Sequence, residues 1–291
     1  MTKSEIVGKV IEIWRYPVKS MQGESLQTSH IDSLGLCGDR GWAVRDEESR
    51  EIRGAKKFPA LMRCSSKYSV EPSNSNIPPA KISFPDGSTI NSDSGMVNER
   101  ISQYLESEVS LFPRLPESQE DHYRRKEELS EPVIRQMLGL HKNEAIPDLS
   151  IFPDEVLQEI NEFSTMKGTY FDAYPIHLLT TSWLKELKNH SSKSAFETDR
   201  FRPNLLIESD GSGLVELAWC GDTIQIGTVK LNCEIPTIRC SMTTHETGSL
   251  PRDIDVLKTI VKKTGRNVGV YASILSEGRV SVGDDVKILH E

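Results

Sequence analysis

Apolar and polar residues alternate over several short stretches in the first third of the chain, and a period of two predicts β-strands. The clearest stretch is 6–14 (IVGKVIEIW), which predicts a strand with one buried face. A short strand is also predicted over 42–44 and a longer one over 61–70. The sequence FPDGS at 84–88 is typical of a hairpin turn, because glycine accepts a positive φ angle. With a short helix predicted over 97–105, this part of the chain indicates a small barrel or sandwich.

The rest of the chain mixes helical and strand patterns. Apolar residues that recur every three or four positions predict helices over 154–163, 176–188 and 253–263. The last of these is expected to begin at the N-cap Asp253 and to stop at Gly265. Strands are predicted over 205–208, 268–275 and 280–289, with a hairpin over 222–234. The pattern predicts a β-rich α+β protein with helices packed on the second half.

Residues 113–153 separate these two parts and have a different character. The stretch 117–132 (ESQEDHYRRKEELSEP) is highly charged and poor in apolar residues, which favours a solvated connector. A lid over a site is the alternative, and loop-length statistics favour the connector. The expected domains are 1–114, an N-terminal β-barrel-like domain, 115–150, a charged connector, and 151–291, a second domain. The sequence leaves open whether 117–131 docks a reductase or only links the domains.

Composition and charge narrow the class of function. The 291 residues are 36% hydrophobic and 27% charged, which is typical of a soluble globular protein. The formal net charge of −8 disfavours binding to nucleic acid or to an anionic membrane, so an anionic ligand needs a local cluster of cations. No apolar run approaches the about 20 residues of a membrane helix, and the N-terminus leads directly into a strand pattern. We expect a cytoplasmic protein.

The cysteines argue against a disulfide framework, a zinc ribbon or an iron–sulfur cluster, because there are five and no two form a C-x-x-C pair. Cys240 differs from the others because it lies between Arg239 and Ser241. A neighbouring cation favours the thiolate form, and thiolates bind soft metals. Packing in the core is the alternative for Cys240. Packing is also the role that we assign to Cys37, Cys64, Cys220 and Cys233.

Four short segments carry a cation in a turn-prone context near a strand end. They are 16–20 (YPVKS), 38–42 (GDRGW), 199–204 (DRFRPN) and 239–240 (RC). Lysine supplies a point charge and arginine a planar fork, and both suit phosphate or carboxylate oxygens. Ser20 and Asn204 add neutral donors. Together these segments would form a concentrated anion pocket on an acidic protein.

In this order and spacing, PVKS, GDRGW, DRFRPN and RCSMTT resemble the MOSC-domain proteins, named for the C-terminal domain of molybdenum-cofactor sulfurase. The N-terminal half is similar to the β-barrel domain that precedes the MOSC domain in the subgroup containing the mitochondrial amidoxime-reducing component. The resemblance spans nearly the whole chain. It implies an N-terminal β-barrel domain followed by a MOSC β-barrel domain with packed helices.

The resemblance also implies a molybdenum cofactor, Mo-molybdopterin, in which a pterin dithiolene holds the metal. Cys240 matches the metal-ligating, catalytic cysteine. The positions that match cofactor-binding residues are Lys19, Ser20, Arg40, Thr180, Thr181, Ser182, Arg202, Asn204, Arg239 and Tyr271. Helix capping is an equal alternative for the hydroxyl side chains, and core packing for Tyr271. The chain departs from the family pattern at His245 and Glu246, where relatives often have Thr-Thr-x-Asp, so the substrate-facing wall is expected to differ.

The implied activity is an oxidoreductase that reduces N-hydroxylated compounds such as amidoximes, hydroxylamines and N-hydroxylated bases, removing oxygen at molybdenum. Because the chain has no flavin, haem or iron–sulfur motif, the electrons are expected from a separate flavoprotein, ferredoxin or cytochrome. The alternative is a carrier of the molybdenum cofactor, or a sulfur-transfer module with a persulfide on Cys240. A third possibility is a relative that keeps the fold without the cofactor.

Overall fold

The computed structural model describes residues 4–73, 76–209 and 211–290. In these ranges the β-strands are β1 (Ser4–Arg15), β2 (Glu24–Leu26), β3 (Thr28–Asp32), β4 (Gly35–Leu36), β5 (Trp42–Asp46), β6 (Glu51–Arg53), β7 (Ser65–Tyr68), β8 (Ala80–Ser83), β9 (Thr89–Asn91), β10 (Val109–Pro113), β11 (Ile176–Thr180), β12 (Leu205–Glu208), β13 (Thr223–Ile226), β14 (Val229–Ile238), β15 (Asn267–Ser276), β16 (Gly278–Ser281) and β17 (Asp285–Leu289). The α-helices are α1 (Val97–Leu105), α2 (Glu120–Tyr123), α3 (Glu131–Leu138), α4 (Asp154–Glu162), α5 (Thr181–His190), α6 (Thr198–Phe201) and α7 (Ile254–Thr264). Three short 3-10 helices complete the elements: η1 (Pro59–Arg63), η2 (Val215–Trp219) and η3 (Ser241–Thr244).

A closed barrel joins the two ends of the chain. Its strands follow the order β12-β11-β15-β14-β13-β17-β1, and β1 then pairs with β12 to close the ring. The pairs are antiparallel except for β11 with β12, which is parallel. Inward-facing side chains such as Val10, Ile13, Leu231 and Val286 form the largest core. The predicted α+β, β-rich fold is therefore confirmed, and alternation over 6–14 correctly indicates a strand with one buried face.

Residues 42–113 contribute most of a second hydrophobic core. Two three-stranded sheets, β10-β5-β6 and β7-β8-β9, pack with α1 around side chains that include Leu61, Ile82 and Ile101. The first strand pairs with strands from the far end of the chain, and so does β3, which pairs with β16. The domain boundaries at 114 and 150 stay a prediction.

The single helix predicted over 176–188 is wrong. Ile176–Thr180 is the strand β11, between β12 and β15, and only then does α5 begin. All five residues of this strand are buried, so the apolar run has no alternation and cannot be distinguished from a helix face by periodicity. Thr180 ends the strand and caps α5, accepting a hydrogen bond from the Trp183 amide at 3.3 Å.

Two predicted strands are shorter than expected. Pro59 opens the 3-10 helix η1, so the strand predicted over 61–70 is reduced to β7. The strand predicted over 280–289 is interrupted at Gly283, whose φ of 96° separates β16 from β17. The predicted helices over 97–105, 154–163 and 253–263 and the strand over 205–208 are confirmed within one residue at each end.

Candidate active site

The four cationic segments meet at one end of the barrel. Two of them follow the ends of β1 and β14, one precedes β12, and the fourth is the turn before β5. They open onto a cavity of about 210 Å³, which adjoins a second one of about 380 Å³. The predicted site residues that line the first cavity are Lys19, Ser20, Arg40, Arg202, Arg239, Cys240 and Tyr271. Residues more than 200 positions apart in sequence are thus brought together.

Three of these residues have backbone conformations that side chains other than glycine rarely adopt. The φ angles are 70° at Ser20, 49° at Arg40 and 54° at Arg202. Such left-handed conformations cost free energy and persist where the surrounding structure holds them, often at functional sites. Glycine would relieve this strain but would remove the side chain. The strain therefore points to a role for these side chains.

Lys19 is buried at the entrance of both cavities. Its Nζ donates to the Tyr170 carbonyl at 2.8 Å and to the Asp172 carboxylate at 2.7 Å. Burial lowers the pKa of Lys19, and the charge of Asp172 offsets part of this effect. For Asp172, burial alone would raise the pKa, but attraction to Lys19 and Lys56 outweighs it and lowers the pKa. Asp172 is a site residue that the sequence analysis missed.

Arg202 and Arg239 keep donor atoms that no described group satisfies. Arg202 Nη1 donates to the Met21 carbonyl at 2.6 Å, and Arg239 Nη2 donates to the Phe201 carbonyl at 2.8 Å. Arg202 Nη2 and Arg239 Nε are buried without a hydrogen-bond partner. Burial lowers the pKa of both, to about 10 for Arg202, so Arg202 stays charged at neutral pH. Buried unpaired donors are costly, and an anionic ligand would satisfy them.

Cys240 lies between the end of β14 and the 3-10 helix η3, half-buried in the cavity wall. Three irregularities in the β14–β15 pairing precede it, and the last two lie between Cys233 and Ile235 and between Pro236 and Ile238. The other four cysteines do not line this cavity. Burial raises the pKa of each of these four thiols, to about 11 for Cys64 and Cys220 and to about 12 for Cys37.

His177 is a second residue that the sequence analysis missed. It faces Tyr271 across the β11–β15 pair, with ring centroids 5.8 Å apart, and both rings line the cavity. Burial and then the charge of Arg239 lower the pKa of His177 to about 3, whereas burial raises that of Tyr271 to about 12. His177 is therefore neutral and Tyr271 protonated at neutral pH. A Cβ at Gly269, where φ is 85°, would lie 2.2 Å from His177 Nε2.

Four of the predicted residues, Thr180, Thr181, Ser182 and Asn204, do not line the cavity. The Thr180 hydroxyl bonds to the buried Glu216 and to the Ser182 hydroxyl, and it also caps α5 by accepting from the Trp183 amide. Asn204 supports the site from behind: its Oδ1 accepts from the His177 amide at 3.1 Å, and its Nδ2 donates to Asp39 at 2.9 Å. Their cofactor-binding roles stay predictions.

Three further cations that were not predicted as site residues line the cavity, and of these only Arg200 lies in one of the four motifs, 199–204. Lys56 and Arg125 line it, and so does Arg200, whose guanidinium donates to backbone carbonyls that include Ala195 and Pro251, each at 2.8 Å. Among the described residues that line this cavity, only Asp172 is acidic. In the described ranges, no three His, Cys, Asp or Glu side chains are grouped so that they could hold a metal ion. No helix in this part of the chain is long and apolar enough to cross a membrane.

Comparison with known proteins agrees with this architecture. Residues 7–111 match the MOSC N-terminal beta barrel domain and residues 165–287 match the MOSC domain. Mitochondrial amidoxime reducing component 2 of Bos taurus is 25% identical over 302 residues, which cover 96% of this chain and 83% of the relative. Mitochondrial amidoxime-reducing component 1 of Homo sapiens is 24% identical, with coverage of 97% and 83%. The crystal structure of the YuaD protein from Bacillus subtilis aligns over 100% of both chains with 10% identity and a TM-score of 0.45. The chain belongs to the MOSC-domain proteins that carry the MOSC N-terminal β-barrel domain.

Proposed function

We propose that this protein is a molybdenum-cofactor oxidoreductase that reduces N-hydroxylated compounds. The observation that carries the proposal is the position of the Cys240 thiol, which shares one cavity with four cations from four separate segments, Lys19, Arg40, Arg202 and Arg239. A thiolate can ligate a soft metal, and a surrounding cluster of cations holds an anionic cofactor. The names of the relatives, amidoxime reducing components, support the choice of substrate.

The residues of the cavity fit such a cofactor. Cys240 Sγ would ligate the metal, and the buried unpartnered atoms Arg202 Nη2 and Arg239 Nε would donate to anionic oxygens of the pterin group. Lys19 would direct a further positive charge to the cofactor if its hydrogen bond to Asp172 were replaced by one to the cofactor. When bound, the molybdenum cofactor supplies the two-electron chemistry that removes oxygen from an N–OH group.

The chain itself would bind and protonate the substrate. Release of the oxygen as water consumes protons, so a protonated donor is needed beside the metal ligand. Tyr271 holds its proton at Oη, since its pKa is about 12, and it lines the same cavity as Cys240. His177 is neutral in this environment. Its Nε2 donates a hydrogen bond to the Val268 carbonyl at 3.2 Å, which holds the imidazole ring in the cavity wall beside Tyr271.

The electrons would come from a separate electron-transfer protein of the flavoprotein, ferredoxin or cytochrome type. We therefore expect the purified protein to be inactive with NADH alone and active with a chemical reductant such as a reduced viologen. Turnover of an amidoxime with NADH by rigorously purified protein would contradict this part of the proposal.

The test is to measure molybdenum and pterin in protein purified from a host that makes the cofactor. Near-stoichiometric molybdenum is expected in the wild type and in the control variant Cys220→Ala, whose thiol lies outside the cavity. Cys240→Ala should hold little molybdenum and reduce no N-hydroxylated substrate. Absence of molybdenum from the wild type would overturn the proposal. A persulfide on Cys240 would then favour the sulfur-transfer alternative.

A further inference from the structure

Apolar side chains line the same cavity as the cations. We call residues 126–162 the cap, and the middle of the cap lies beside Cys240, because a Cβ at Gly139 would be 2.8 Å from Ser241. The cap side chains that line the cavity are apolar and half-buried: Leu129, Ile134, Met137, Leu138, Leu149, Phe152, Leu157 and Ile160. They are absent from the hydrophobic cores that the described residues form. These side chains are therefore arranged around the cavity, not around a core.

The spacing of these residues explains why they converge. In α3, Ile134, Met137 and Leu138 follow the three- and four-residue spacing of one helix face, and in α4 Leu157 and Ile160 do the same. An amphipathic helix usually buries such a stripe against a core. No residue of either helix is fully buried, and both stripes border the cavity. Each helix thus has an apolar face that a ligand in the cavity can cover.

The cap is fastened to the site at both ends and in the middle. Arg125 Nη2 donates to the carbonyls of Ile160 at 3.2 Å and Phe163 at 3.0 Å, which joins the two ends. Arg266 fastens the middle: its Nη1 donates to the Leu138 carbonyl at 2.9 Å and to the Arg239 carbonyl at 3.1 Å. Arg266 also forms an ion pair with Glu144 of the cap. The apolar wall is therefore held beside Cys240.

The lining of the cavity consequently combines two chemically different sets of residues. Lys19, Arg202 and Arg239 suit the anionic groups of the proposed cofactor, and the cap contributes apolar side chains to the same lining. Apolar surface gains free energy when an apolar group covers it. We infer that the cap selects N-hydroxylated compounds whose reacting group is attached to an apolar body, such as an aromatic ring or a branched alkyl chain. The inference rests on the proposed function, and Met137 and Leu157 would be specificity-determining residues.

Two probes with the same reacting group test this inference. Benzamidoxime carries a phenyl ring where acetamidoxime carries a methyl group. Their dissociation constants would be measured by calorimetry on the cofactor-loaded protein without a reductant, so that binding is observed without turnover. The wild type should bind benzamidoxime roughly tenfold more tightly, because the ring covers more apolar surface of the cap. With a reduced viologen, kcat/KM should show the same preference.

The variants Leu157→Ser and Met137→Gln should reduce this preference to about threefold or less, by weakening benzamidoxime binding and leaving acetamidoxime nearly unchanged. They lie on different helices and outside the hydrophobic cores, so a folding defect in one leaves the other informative. The control is Ile151→Ser, because Ile151 belongs to the cap and is exposed outside the cavity. It should keep the full preference.

The outcomes separate this inference from the proposed function. Preferential binding of benzamidoxime that the two variants weaken, without reduction of either probe by the wild type, would support the cap and refute the proposed function. Reduction of both probes with a preference that neither variant changes would support the function and refute the cap. Equal affinity of the wild type for the two probes would also refute the cap.

Discussion

Glu216 should make the stability of this protein fall as pH rises through the acidic range. Its carboxyl group is fully buried in η2, where it accepts hydrogen bonds from the Thr180 amide at 2.9 Å and from the Thr180 hydroxyl. Burial raises the pKa of Glu216 from 4.5 to about 7, although the bonds from Thr180 oppose this change. The folded protein therefore holds a proton between pH 4.5 and 7 that the unfolded chain has lost.

Proton linkage gives the sign and the size of this change in the free energy of unfolding. Where the folded state binds more protons, the free energy of unfolding decreases as pH rises. One pKa unit corresponds to about 1.4 kcal/mol, so the change in the pKa of Glu216 corresponds to about 3 kcal/mol of stability. That contribution is fully present below pH 4.5, is lost progressively up to pH 7, and does not change further above it. The variant Glu216→Gln carries no such titration.

Urea unfolding at pH 5 and at pH 8 measures this effect. Other groups also titrate in this range, so the quantity to compare is the change in unfolding free energy between the two pH values in each protein. The decrease should be about 3 kcal/mol larger in the wild type than in Glu216→Gln. The control Glu155→Gln replaces an exposed carboxyl and should match the wild type. An equal decrease in wild type and Glu216→Gln would refute the reasoning.

Three other substitutions test the site and the cap. Arg202→Ala should weaken retention of the pterin by about 1.5–3 kcal/mol, measured as pterin content after dialysis, whereas Arg50→Ala at the surface should not. Gly139→Ala should lower the melting temperature more than Gly87→Ala: both glycines have positive φ, but a Cβ at Gly139 lies 2.8 Å from a Ser241 atom, and one at Gly87 meets nothing within 4 Å. Arg266→Met should release the cap, measured as faster tryptic cleavage within 126–162, and an unchanged cleavage rate would contradict the fastening role.

Where sequence periodicity and end signals agree, the fold could be predicted. The helix over 253–263 has an apolar stripe, an N-cap at Asp253 and a stop at Gly265, and the structure places α7 there. The segment 176–188 had no such agreement. Its strand is buried on both faces, so it lacks alternation, and only pairing with β12 and β15 distinguishes it from a helix. That error also hid His177, whose position opposite Tyr271 follows from the pairing of β11 with β15.

Most of the cationic lining of the candidate site could be predicted because its residues lie in short motifs, but Lys56 and Arg125 lie in none of them. The apolar half could not, since the cap was interpreted as a connector from its charged residues. Its apolar residues are spread over 129–160, and they line one cavity only when α3 and α4 fold against it. Arg266 contacts Leu138, 128 positions earlier in the chain, as well as Arg239, and no local pattern indicates the contact with Leu138. The connector and lid interpretations of residues 115–150 both stay predictions.

The charge distribution favours an anionic ligand in this site. The chain has a net charge of −8, yet the described lining of the cavity contains one acid, Asp172, and seven cations: Lys19, Lys56, Arg40, Arg125, Arg200, Arg202 and Arg239. Gathering like charges and leaving Arg202 Nη2 and Arg239 Nε unpaired in a buried place costs stability. Strained backbone at Arg40 and Arg202 adds to that cost. An anionic cofactor would offset both, so cofactor loading should raise the unfolding temperature as well as supply the redox chemistry.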